Sequence, residues 1–206
     1  MTNIDRKKFF TNIRKSPFPG KLKQSQVNGL NVILDAWDNS KLTDLRWLAY
    51  ILATPAIETG MRYEPIIEAG GNAYFTRLYD IQGSNPTRAR SMGNAKPGDG
   101  AKYRGRGFVQ ITWYKNYAKY RAIILKLFNV DILADPDNAM IPEVAAFIMV
   151  DGMVNGVFTG KKLSNYFNSK TTDWKNARRI VNGLDKADQI ASIAKEFYAD
   201  LNASVV

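Results

Sequence analysis

Three of the chain's five glutamates, Glu58, Glu64 and Glu68, fall within eleven residues, in the stretch AIETGMRYEPIIE at the end of an apolar run. The chain has no histidine and no cysteine. It therefore lacks the parts of a Ser-His-Asp triad, a thiolate nucleophile and a Cys- or His-ligated zinc site. Metalloproteases, zinc amidases and cysteine peptidases are excluded as they are usually built. Proton transfer falls to Asp, Glu, Lys or Tyr. The chemistry that manages with carboxylates alone is, above all, glycoside cleavage.

Glu58 lies in the last turn of an apolar helix. The negative end of the helix dipole and partial burial among Leu52, Ala56 and Ile57 both disfavour its ionised form. A carboxyl that keeps its proton near neutral pH is what a glycosidase general acid must be. The plainer reading is a solvated glutamate at a frayed helix end. Glu68 stands ten residues on, where a continuous helix would have turned about 280°. Gly60 and Pro65 break that helix, so Glu68 comes from a separate element and could face Glu58 across a gap. An inverting glycosidase wants its two carboxyls roughly 6.5–9.5 Å apart, with a water between them. Glu64 competes for the second role, or is a surface residue before a proline.

A second landmark is YRGRGFVQITW, residues 103–113. Glycines on either side of Arg106 permit a tight backbone and close ligand approach. Gln110 and Thr112 alternate with Val109 and Ile111, so an extended segment would turn both to one face. Trp113, Tyr114 and Tyr117 could stack on sugar rings or fill a core. An Arg-Gly-Arg run with aromatics also suits a nucleic-acid patch, and composition alone does not separate these readings.

The elements that must position these residues are mostly helical. Val27, Leu30, Ile33, Leu34 and Trp37 predict a helix over 24–39 with Ser25 as its cap. A helix over 43–58, capped by Thr43, is apolar nearly all round and reads as central and buried. Pro55 should kink it and Gly60 should stop it. Residues 70–107, rich in Gly, Asn, Ser, Pro and Arg, read as an irregular binding segment with a short strand or hairpin near 73–79. Further helical patterns cover 116–128, 142–154, 173–181 and 186–201, with a turn at Asp135-Pro136-Asp137 and an apolar stripe of Ile190, Ile193, Ala194, Phe197 and Leu201.

Composition is that of one globular domain, 45% hydrophobic and 23% charged. The net charge of +10 favours an anionic partner: nucleic acid, acidic lipid or acidic polysaccharide. No apolar run is long enough to span a membrane, and the N-terminus lacks the apolar core of a secretory signal.

Several blocks, in order along the chain, resemble glycoside hydrolase family 19: Glu58-Thr59-Gly60, the YRGRGFVQIT run, and Ala177-Arg178-Arg179-Ile180-Val181-Asn182-Gly183. The stretches GGNAYFTRLYDIQG, GDGAKYRGRGFVQITW, FTGKKLSNYF, DWKNARRIVNGLD and AKEFYADL are similar to the branch of chitinase-like bacteriophage endolysins. The resemblance runs from about 45 to 201.

It implies a mainly α, two-lobed, lysozyme-like (family 19 chitinase-like) fold with a small irregular/β lobe and a central cleft. Residues 1–206 would form a single catalytic domain, with a large helical lobe of about 1–60 and 108–206 and a smaller loop-rich lobe of about 61–107. No separate cell-wall-binding domain is expected. The implied reaction is single-displacement, inverting hydrolysis of β-1,4 bonds to N-acetylated sugars. Glu58 would be the general acid, and Glu68, placed by its Pro-x-x-Glu context, the general base. Thr112 would hold the attacking water. Tyr103, Arg106, Gln110, Trp113, Asn116 and Asn182 would bind the sugars. The chain departs from the family in having Ile57 before the acid, Arg104 within the glycine-rich block, and Gln189 where the last helix carries an arginine.

The expected role is that of an endolysin hydrolysing bacterial peptidoglycan for host lysis and phage release, with a chitinase or a single-glutamate lytic transglycosylase as alternatives. A non-catalytic basic glycan- or nucleic-acid-binding module is the reading outside enzymes. No metal or cofactor, no nucleic acid and no stable membrane insertion are expected, and monomer is the default. The protein would gather in the host cytoplasm and reach the periplasm and wall through a separately encoded pore, the holin.

Overall fold

The computed structural model describes residues 3–206, which are mainly helical. The helices are α1 (Arg6–Asn12), α2 (Gln24–Ser40), α3 (Leu45–Glu58), α4 (Asn72–Tyr79), α5 (Pro86–Ser91), α6 (Asp99–Lys102), α7 (Tyr114–Phe128), α8 (Pro142–Asn155) and α9 (Ala187–Asn202). Strands β1 (Ile66–Ile67) and β2 (Arg106–Gly107) pair antiparallel, Ile66 with Gly107 and Ile67 with Arg106. No helix among the described residues is long and apolar enough to cross a membrane. The chain divides into two compact units, one running up to Glu64 and resuming at Met149–Val206, the other Pro65–Ile148.

In the first unit α3 packs along α9, with α1 and α2 against them. Every residue of α3 from Leu48 to Ala56 is buried, in keeping with its nearly all-round apolar sequence. Its partner α9 supplies Ile190, Ala194, Phe197 and Leu201, the stripe legible in the sequence. Two caps differ from expectation. Asp44, not Thr43, caps α3, accepting from Arg46 N. At α2 the side chain of Gln26 turns back to accept from Lys23 N at 2.8 Å, so Ser25 does not cap it. Beyond α3, Gly60 takes φ +59°, as a helix stop requires.

The second unit corrects one sequence expectation. Residues 72–79 form helix α4, not a strand or hairpin. Phe75 and Tyr79, four apart, share a helical face and stack at 6.3 Å. The unit also runs on to Ile148, past the residue 107 at which the sequence reading closes the smaller lobe. Packing explains why. Tyr117 of α7 lies 5.5 Å from Tyr103, and Arg106 pairs with Asp137 of the short 3-10 helix Pro136–Met140, so residues on both sides of 107 share one core. The irregular segment is fixed by two buried polar residues. Asp80 Oδ2 accepts from the backbone N–H of Gly98 and Gly100. Asn94 donates to the Tyr79 carbonyl and accepts from Tyr114 N. Buried polar groups satisfied in this way replace regular structure as the frame of a loop.

Candidate active site

In the first unit, α3 ends on Glu58, and the backbone beyond it is locked. Thr59 N–H and its hydroxyl both donate to the Pro55 carbonyl, and Met61 N–H donates to Ala56 O. The Glu58 side chain meets Arg178, which comes from the 3-10 helix Asn176–Ile180: Arg178 Nη1 donates to Glu58 Oε1 at 2.6 Å. Arg178 Nε donates to the Asp185 carbonyl at 3.0 Å, which sets the plane of the guanidinium. Among the described residues no hydrogen-bond donor meets Glu58 Oε2. The purely apolar setting read from sequence is thus corrected, because the nearest group to this carboxylate is a buried cation. Gln189 is exposed on α9. Arg178, which lies in the NARRIVNG stretch, is the residue that sequence reasoning missed. Asn182 is exposed, with its side chain on Gly183 N and its own N–H on the Arg178 carbonyl, so it belongs to the same turn.

In the second unit Glu68 is held from three sides. Its N–H donates to Gly105 O at 2.8 Å, which sets its backbone beside β2. Its Oε1 accepts from the Tyr79 hydroxyl at 2.8 Å, and its Oε2 from Gly105 N at 3.0 Å. Tyr79, the second residue that sequence reasoning missed, holds its proton well above the ordinary phenol range. Burial disfavours the phenolate, and the hydrogen bond to Glu68 adds to the effect. A glycine here leaves both side chains their positions: a Cβ at Gly105 would stand 2.8 Å from Gln110 Oε1 and 3.1 Å from Glu68 Oε2. Glu64 is exposed.

Gln110, Thr112 and Asn116 are tied to one another and to Ile66 by side-chain-to-carbonyl hydrogen bonds. Gln110 Nε2 donates to Ile66 O, Thr112 Oγ1 to Gln110 O, and Asn116 Nδ2 to Thr112 O, each at 2.8 Å. The extended alternation expected here is absent. Arg106 and Ile111 bridge antiparallel across a tight turn, and Gln110 itself takes φ +55°.

Three residues expected to bind sugar are buried and packed against their own neighbours. Arg106 is 4% exposed. Its Nε bonds Asp137, and its Nη1 bonds the carbonyls of Lys102 and Arg104 and the Tyr117 hydroxyl. Tyr103 is buried between Tyr114 and Tyr117. Trp113 is buried with its edge contact to Tyr79. All three are buried within the second unit. Among the described residues no group of three or more Asp or Glu is placed to hold a metal ion.

No family model matches the chain, and no curated protein matches it. Solved structures do. Chitinase C from Streptomyces griseus HUT6037 superposes with a TM-score of 0.59 at 19% identity, covering 97% of this chain and 92% of that one. A mutant of chitinase C gives 0.55 at 19% identity over the same shares. A bacterial family 19 chitinase gives 0.54 at 18% identity, covering 96% and 94%. The chain therefore has the mainly helical fold of family 19 chitinases.

Proposed function

We propose that the chain is a glycoside hydrolase acting on the β-1,4 bonds of peptidoglycan by an inverting, two-carboxylate reaction, and that it serves as a bacteriophage endolysin in host lysis. The observation that carries this reading is Glu58: an acid at the buried end of α3 with one oxygen fixed by Arg178, in a chain with a chitinase fold. Glu68 supplies the second carboxylate, oriented by Tyr79 and Gly105.

In this reaction Glu58 gives its proton to the glycosidic oxygen as the bond to the anomeric carbon breaks. Glu68 takes a proton from the water that attacks that carbon from the opposite face, which inverts it. Thr112, whose hydroxyl proton is committed to the Gln110 carbonyl, presents its lone pairs to the water. Gln110, Asn116 and Asn182 would offer amides to the N-acetyl sugars. The net charge of +10 suits an anionic wall better than neutral chitin. The protein would collect in the host cytoplasm and pass to the wall through a separately encoded pore.

The test is mass spectrometry of peptidoglycan digested by the purified protein, with lysis of outer-membrane-permeabilised Gram-negative cells alongside. New reducing ends, lost in a folded Glu58→Gln variant, are the expected result. Anhydro-sugar ends would assign a lytic transglycosylase, release of oligosaccharides from chitin alone a chitinase, and wild-type lysis by Glu58→Gln would remove the acid.

A further inference from the structure

Four rings of the second unit form one ladder. Tyr74 meets Phe75 at 5.3 Å, Phe75 stacks on Tyr79 at 6.3 Å, and Tyr79 meets Trp113 edge-on at 4.9 Å. Three arginines lie over three of these rings: Arg77 over Tyr74 at 5.8 Å, Arg104 over Phe75 at 5.3 Å, and Arg88 over Trp113 at 5.5 Å. The remaining ring, Tyr79, is the one that hydrogen-bonds Glu68.

The three cations come from α4, from α5 and from the segment after α6, so no single basic run produces the arrangement. Among the described residues none of them forms an ion pair, whereas Arg106 and Arg121 of the same unit each hold an aspartate. Arg77 and Arg88 are exposed, and Arg104 is half-buried with one N–H on the Ala101 carbonyl. A guanidinium resting on a ring is held in place by the ring's negative face, while its N–H groups stay available at its edge. Such a group loses little conformational freedom when it binds, and its forked donors match a carboxylate.

The geometry points to a rail of three arginines beside Glu68 that recognises the carboxylates of peptidoglycan stem peptides and so favours that glycan over neutral ones. This rests on the glycosidase reading above and adds the feature of the substrate being read. Stem peptides carry free carboxylates at intervals along the strand; a chitin strand carries none.

The experiment compares kcat/KM on native sacculi with that on sacculi whose carboxylates have been converted to amides with carbodiimide and ammonia. The wild type should prefer native sacculi. Arg77→Gln, Arg88→Gln and Arg104→Gln should each cost about two- to fivefold on the native substrate, the range of one solvent-exposed ion pair. All variants should match the wild type on the amidated one. If the triple variant does not fold, the singles, on three separate elements, carry the test. Variants that keep the wild-type preference, or that fall equally on both substrates, overturn the rail. Should the wild type cleave neither substrate, the glycosidase reading fails alone. Co-sedimentation of wild type and triple variant with the two preparations then decides the rail: carboxylate-dependent binding lost in the variant supports it, and equal binding overturns it. Salt-sensitive capture of single-stranded DNA that is lost in the variant, without any carboxylate dependence on sacculi, assigns the arginines to nucleic acid and overturns it also.

Discussion

Arg178 Nη1 lies 2.6 Å from Glu58 Oε1, with the two side chains 3% and 17% exposed. Removing one partner of such a pair leaves the other charge buried without compensation. Arg178→Met should therefore lower unfolding stability by roughly 3 kcal/mol, read from urea transitions with an unchanged slope. Glu58→Gln keeps an acceptor for Arg178 but not its counter-charge and should cost about 1.5–3 kcal/mol, yet lower turnover at least a hundredfold, on the order of a lost general acid. Turnover surviving in Glu58→Gln would show that the pair is structural only.

Tyr79 donates its hydroxyl to Glu68, so in the proposed reaction it would act as a positioning residue. Tyr79→Phe keeps the ring, with its contacts to Phe75 and Trp113, and removes only the hydroxyl that Glu68 accepts from. A hydrogen bond to a charged group is worth about 1.5–3 kcal/mol. We expect kcat to fall about tenfold or more, with KM within about twofold of wild type. A loss confined to KM would place Tyr79 in binding instead.

Two glycines separate function from stability. At Gly105 a new methyl would meet the ends of Glu68 and Gln110, side chains able to swing aside. Gly105→Ala should leave the melting temperature nearly unchanged while misplacing Glu68 and lowering kcat. At Gly29 on α2 the Cβ would stand 1.8 Å from the Tyr63 carbonyl oxygen, which is backbone. Gly29→Ala should destabilise the fold by about 3 kcal/mol or more, since overpacking against main chain forces helix and loop apart. Equal melting temperatures for the two variants would contradict this division.

Tyr50 of α3 is 1% exposed, and its hydroxyl has no hydrogen-bond partner among the described residues. A buried hydroxyl without a partner costs about 1–3 kcal/mol. Tyr50→Phe should raise the melting temperature without altering the packing against Phe167. A lower melting temperature would show that a bound water satisfies the group.

Much of the helical frame was legible because a repeat near 3.6 is written locally. The apolar continuity of residues 48–56 marked α3 as buried, the stripe from Ile190 to Leu201 marked α9, and the break at Gly60 set Glu58 at a helix end. The helix α4 was not legible: over only eight residues its aromatic and apolar side chains, Tyr74, Phe75, Leu78 and Tyr79, fit a strand as well. Nor was the turn at 107–110, whose alternation of polar and apolar residues imitates an extended segment. The residues Tyr103, Arg106 and Trp113 have types that suit ligands and cores equally, and only packing assigned them to the core.

Composition alone settled which chemistry was open to this chain. Without histidine or cysteine, side-chain proton transfer falls to Asp, Glu, Lys or Tyr, and no arrangement in space can change that. Which neighbour each carboxylate has was decided by the tertiary structure. Arg178 reaches Glu58 from 120 residues away, and Gly105 reaches Glu68 from 37. Contacts at such separations are fixed by how helices and turns pack, and their energies depend on burial, which no local pattern of residues records.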